Sequence, residues 1–124
     1  MDDSPITVLI VDDHDMVAQA LAQALSSRPD VEVVGTARTK ARVMAALAAQ
    51  VVDVVITEVR LNDDIEGALI GEVVQQWPDT KVLVLSSSSD DWSVSRAVES
   101  GCHGYLLKDQ HLDDLYDGVV GVYQ

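Results

Sequence analysis

Five short apolar runs recur along this 124-residue chain, and segments of helical period separate them. The runs are Ile6–Val11, Val31–Thr36, Val51–Thr57, Lys81–Leu85 and His103–Leu107. Continuous runs rich in Val and Ile, with no polar alternation, mark strands that are buried on both faces. Between them, Asp15–Leu25 places Met16, Val17, Ala20, Leu21, Ala24 and Leu25 at helical spacing. Further helices are predicted over Thr39–Gln50, Ala68–Trp77, Trp92–Ser100 and Leu112–Tyr123. Thr39 and Asp90 or Asp91 can accept orphan amide protons at helix starts. Pro78 stops one helix, and Gly101 ends another because glycine takes the left-handed cap without steric cost. Strictly alternating strands and helices with short connections imply one α/β domain, a doubly wound five-stranded parallel sheet with helices on both faces.

Size and charge narrow the function. A domain of this length buries roughly two-thirds of its unfolded surface, enough for a core without metal or disulfide staples. The net charge is −13, which excludes direct binding to nucleic acid or an anionic membrane, since both need clustered Lys and Arg. The single cysteine, Cys102, rules out a disulfide within the chain and fits a reducing cytoplasm; its apolar context predicts a buried structural thiol. Met1–Pro5 is too short and acidic for a signal peptide, and no apolar run approaches the length of a membrane span.

In open parallel sheets, sites form at the carboxyl ends of the strands, near the point where strand order reverses. Four of the runs end there in chemistry-bearing residues: Asp12-Asp13, Glu58, Ser86 and Lys108. Two adjacent carboxylates leaving a buried strand call for a neutralising cation, and Mg2+ suits such oxygen ligands. The competing reading is a pair of solvated acids favoured by a helix dipole, which fits Asp15 better than Asp13. Ser86 opens the run Ser86–Ser89, which by itself is only a turn and capping stretch. Lys108 follows the strand directly and can turn inward over the sheet edge toward carboxylates. Asp53 lies at the start of its strand, and Asp63 and Asp64 lie in the polar loop 61–67. Tyr105 reads as a packing residue with a wet hydroxyl. Trp77 and Trp92 read as shields of helix ends, with Trp92 beside an exposed face. His14, His103 and His111 have no spacing that suggests a metal site.

Taken in order, Val8-Leu9-Ile10-Val11-Asp12-Asp13, Asp53-Val54-Val55-Ile56, Lys81-Val82-Leu83-Val84-Leu85-Ser86 and Gly104-Tyr105-Leu106-Leu107-Lys108 resemble the receiver domain of two-component response regulators. The likeness covers nearly the whole chain, residues 1–124, and implies the (βα)5 flavodoxin-like receiver fold. Lys108 followed by Asp109, where many receivers have proline, is similar to the NarL/FixJ subfamily. Its members carry a C-terminal helix-turn-helix DNA-binding domain; this sequence stops at Gln124, so a stand-alone receiver or an excised fragment is expected. The resemblance implies a Mg2+ site at Asp12, Asp13 and the carboxylate of residue 58, helped by the backbone carbonyl of Arg60. Ser86 and Lys108 would hold phosphoryl oxygens, and Ser86 and Tyr105 would report activation. It also implies a histidine kinase as partner, contact with a second copy or an output domain, and a role in transcription regulation rather than catalysis.

The sequence departs from that pattern at one decisive place. The phosphorylated aspartate would fall at position 58, which is Glu58, and Asn62 stands where a proline is common. One extra methylene moves the carboxylate by about 1.5 Å. In-line transfer tolerates this poorly, since a misplacement near 1 Å can cost about 100-fold. Glu58 is therefore expected to be phosphorylated inefficiently, and either to mimic the activated state or to leave a receiver that binds partners without switching. An enzyme is the alternative from another class. Asp13-His14-Asp15-Met16-Val17 fits the loose haloacid-dehalogenase phosphatase signature, but the chain has no room for a cap, and Asp113-Asp114 fall in a helix, not at a strand end. A plain interaction module needing neither metal nor phosphate is the third reading.

Overall fold

The computed structural model describes residues 4–61, 63, 64, 67–87, 90–108 and 112–124. Asn62, Asp109 and His111, singled out above, and Ser88 and Ser89 of the serine run lie outside the described residues. Strands and helices alternate as β1(Ile6–Val11), α1(Asp15–Ser26), β2(Val31–Ala37), α2(Lys40–Ala49), β3(Val54–Thr57), α3(Leu69–Gln76), β4(Lys81–Ser86), α4(Asp91–Ser100), β5(Gly104–Leu107) and α5(Leu112–Tyr123). The sheet is wholly parallel, in the order β2-β1-β3-β4-β5. This is the doubly wound parallel sheet that the alternation implied, in the flavodoxin-like receiver order that the resemblance implied. Strand order reverses between β1 and β3, so their carboxyl ends open the crevice where a site belongs.

Period-2 alternation divides the strand side chains between two cores. Val8, Ile10, Val54, Ile56, Leu83 and Leu85 pack on one face with Ala18, Leu21 and Leu25 of α1 and Leu115 and Val119 of α5. Leu9, Val11, Val55, Val82 and Val84 pack on the other with Val43 and Leu47 of α2, Leu69, Ile70 and Val73 of α3 and Ala97 of α4. The sequence shows these strands as unbroken apolar runs because both faces are covered.

The helix signals hold where a cap makes them specific. Thr39 accepts from the Arg42 amide at 3.2 Å. Asp90 accepts from the Ser93 amide at 2.9 Å, and that bond holds its carboxyl below the ordinary value. Gly101 ends α4 in the left-handed conformation at φ +94°.

One strand start needs correction. The run from Val51 was read as buried strand, but β3 begins at Val54 and Val51 is 85% exposed. Asp53 sits at the boundary. Its carboxylate accepts from the Thr7 amide and hydroxyl, and its own amide donates to the Thr7 carbonyl and hydroxyl oxygens. Side-chain bonds thus reinforce the backbone bonds at this edge, and the regular strand starts one residue later. At the other boundary Ser86, placed in the following loop, is the last residue of β4, paired with Leu107.

His103, just before β5, accepts the Val82 amide on Nδ1 at 3.0 Å. Partial burial of the ring, then the charge of Lys81, hold its pKa below the usual 6.5. Protonation would remove that acceptor. A depressed histidine stabilises the fold fully above its unfolded pKa of about 6.5, and the gain is lost as pH falls toward the folded value. An NMR titration of His103 should therefore give a midpoint below 6.5. His103→Gln should flatten the fall in urea-unfolding stability that the native chain shows as pH drops from 6.5.

Candidate functional site

Four strand ends converge at the crevice. Asp12 directly follows β1 and is 2% exposed; its amide is fixed by the Ala37 carbonyl at 3.0 Å. Glu58 directly follows β3, and Lys108 directly follows β5. Lys108 Nζ lies 2.9 Å from Asp12 Oδ2 and 2.9 Å from Glu58 Oε1. One ammonium therefore joins the ends of β1, β3 and β5. Burial opposes its charge, but its hydrogen bonds to Glu58 and Asp12 outweigh that and hold its pKa above the ordinary 10.5.

The Lys108 amide donates to the Ser86 carbonyl at 2.8 Å, so the ends of β4 and β5 are locked in register. Ser86 is 2% exposed. Tyr105 is half-buried against the core face shared with α2, α3 and α4. The residues read from the sequence as a group, Asp12, Glu58, Ser86 and Lys108, therefore do meet at one end of the sheet.

The other oxygen of Asp12 faces a second cluster. The His14 amide donates to Asp12 Oδ1 at 2.9 Å, which turns the chain sharply after the strand. His14 Nδ1 then lies 3.1 Å from Asp12 Oδ1 and 3.0 Å from Asp13 Oδ1. Asp12, Asp13 and His14 form the group of possible metal ligands among the described residues, and Glu58, turned to Lys108, is not in it. Sequence spacing gave no sign of His14, because adjacent residues reach one point only when the backbone turns this way. Arg60 is exposed and its guanidinium stacks on the Trp92 ring, 4.5 Å from the centroid.

The loop acids have structural work that sequence reading missed. Asp63 accepts from the Lys40 amide at 2.9 and 3.0 Å, at the start of α2. Asp64, 7% exposed, accepts from the Ala68 and Leu69 amides at the start of α3. Lys40 adds a bridge to Glu72 and lies 3.9 Å from Asp64. Cys102 behaves as expected of a structural thiol: it packs against the core, and burial pushes its pKa up.

Electrostatically the crevice is unbalanced. Asp12 and Glu58 share the one ammonium of Lys108, and Asp13 lies against His14. Removing the ammonium strands a nearly buried carboxylate, and breaking a fully buried pair costs about 3–5 kcal/mol. Glu58 is 15% exposed on its side chain, so water offsets part of that cost. Lys108→Met should lower stability by about 2 kcal/mol, and adding Asp12→Asn should recover much of the loss, both read by urea unfolding. Because the lysine pKa is raised, the stabilisation from this pairing should be complete below about pH 10.4 and decline above it.

Comparisons with known proteins bear on the family and the fold. The response regulator receiver domain family matches residues 8–119. The DNA-binding transcriptional activator DevR/DosR of Mycobacterium tuberculosis is 35% identical over 84% of this chain and 48% of its own length. The response regulator protein VraR of Staphylococcus aureus is 34% identical over 92% of the chain and 54% of its own length. The chain thus spans about half the length of these relatives. Among solved structures, the signal receiver domain of the NarL response regulator from Mycobacterium tuberculosis superimposes with a TM-score of 0.89 at 26% identity, covering 97% of each chain. Receiver domains are signalling modules, which sets the phosphatase alternative aside. The chain belongs to the receiver domain family of two-component response regulators, and its relatives are of the NarL/LuxR type.

Proposed function

We propose that residues 1–124 act as the receiver of a cytoplasmic transcription regulator of the NarL/LuxR type, and that Glu58 makes this receiver independent of phosphorylation. The observation that carries the reading is the position of Glu58 after β3, with its carboxylate 2.9 Å from Lys108. That is the place of the phosphoacceptor, taken by a side chain one methylene too long. Its carboxylate already holds the lysine that would otherwise meet a phosphoryl oxygen. The substitute is partial, carrying about one charge where a phosphate carries about −1.5 to −2.

The donor chemistry suits Mg2+: Asp12 and Asp13 offer hard oxygens at a strand end with surplus negative charge. Glu58 and the backbone carbonyl of Arg60 complete the set in this reading. When bound, Mg2+ would neutralise charge on an incoming phosphoryl group. Ser86 and Lys108 would take its oxygens, and Ser86 and Tyr105 would serve the switch. A histidine kinase, an output domain and a second copy are the partners this role implies. Contact with DNA would fall to an output domain, since a net charge of −13 disfavours it here. No described helix is long and apolar enough to cross a membrane.

Intact mass after incubation with Mg2+ and acetyl phosphate tests the reading. The native chain should gain no phosphoryl group, while Glu58→Asp should gain one. A phosphorylated native chain would overturn phosphorylation independence. A Glu58→Asp variant that stays unmodified would remove position 58 from the acceptor role.

A further inference from the structure

We propose that the cleft over the carboxyl end of β2 binds a small zwitterion, a free amino acid or a short peptide, with its carboxylate on Arg42 and its ammonium on Asp15. β2 is the outer strand beside β1, so this cleft lies on the other side of β1 from the crevice that holds Lys108 and Glu58. The inference stands whatever the chemistry at position 58.

Three observations support it. The first is a cavity. The start of α1, the end of β2 and the start of α2 border a space of about 610 Å3, within the range of about 300–1,000 Å3 that small ligands occupy. The second is the placing of cations. The chain has only 8 Lys and Arg, yet Arg38, Lys40 and Arg42 fall in one short stretch. Two of them are engaged: Arg38 Nε pairs with Asp15 Oδ1 at 3.2 Å, and Lys40 bridges Glu72. Arg42 lines the cavity. Its amide donates to Thr39 Oγ1, but among the described residues its guanidinium has no partner. The third is a matching anion. Asp63, also in the lining, turns both oxygens to the Lys40 amide. Asp15 gives only one oxygen to Arg38, and both members of that pair are mostly exposed. Such a pair contributes little to stability, so Asp15 can turn to a ligand at small cost.

Charge then selects the ligand. Asp13 and Asp15, beside the start of α1, repel a phosphate or any simple anion, and Arg42 in α2 repels a polyamine. A molecule with one group of each sign suits both walls. The planar fork of a guanidinium fits a carboxylate with two parallel hydrogen bonds. The hydroxyls of Thr36 and Thr39 line the same space and can donate or accept. Ala37, also in the lining, is 4% exposed, and its carbonyl holds the Asp12 amide at 3.0 Å. A bound ligand would therefore rest on the strand end that fixes Asp12.

The test is NMR titration of the 124-residue chain with the common amino acids and with alanine-initiated dipeptides, beside inorganic phosphate and putrescine. At least one amino acid or dipeptide should bind with a Kd near or below about 1 mM and shift the amides of Thr36–Arg42. Whether the amino acids or the dipeptides bind assigns the source. Arg42→Ala and Asp15→Asn should each weaken that ligand at least about tenfold. N-acetylation of the ligand should weaken it as Asp15→Asn does, and amidation of its carboxylate as Arg42→Ala does. Both substituted side chains are exposed, so urea unfolding should show an intact fold in each variant. No amide shift with any amino acid or dipeptide overturns the proposal. So does a ligand that binds Arg42→Ala and Asp15→Asn as tightly as the native chain, or binding of phosphate or putrescine alone. Phosphorylation of Glu58→Asp remains a separate readout of the acceptor position.

Discussion

The ammonium of Lys108 is the point on which the site depends. Parallel strands place the ends of β1 and β3 side by side, and each ends in a carboxylate. Two such groups repel in a crevice with little water. The lysine after β5 reaches across and contacts both at 2.9 Å. It can do so because β4 and β5 are held in register by the Ser86 carbonyl. Sheet topology, strand register and side-chain length must all agree for one charge to meet two partners. Within that arrangement Glu58 is the longer of the two acids, and its carboxylate spans the gap from the end of β3 to the lysine.

Much of this was legible before any coordinates. The buried strands announced themselves because both sheet faces are covered, so each run lacks polar interruptions. The polar residues that close those runs were visible as the site for the same reason: little else polar interrupts the apolar stretches. Thr39, Asp90 and Gly101 were readable because a hydroxyl, a carboxylate or a missing Cβ answers a specific need of a helix end.

What escaped the sequence depended on backbone turns and on partners distant along the chain. The Asp53 carboxylate bonds Thr7, 46 residues away, and nothing in the run Val51–Thr57 hints at that bond. His14 joins the acid pair only because its own amide bends the chain onto Asp12. Asp63 and Asp64 looked like loop acids of no consequence. Each in fact neutralises the amino end of a helix, where orphan amides and the dipole favour negative charge.

The stack of Arg60 on Trp92 gains meaning beside those two acids. Arg60 leaves the end of β3, and Trp92 stands in the first turn of α4. Asp63 grips α2 and Asp64 grips α3. A short stretch of chain, starting two residues after Glu58, is thereby fastened to three successive helices on one side of the sheet. A partner that peels Trp92 away from Arg60 would free one of the three fastenings, the one nearest Glu58 along the chain.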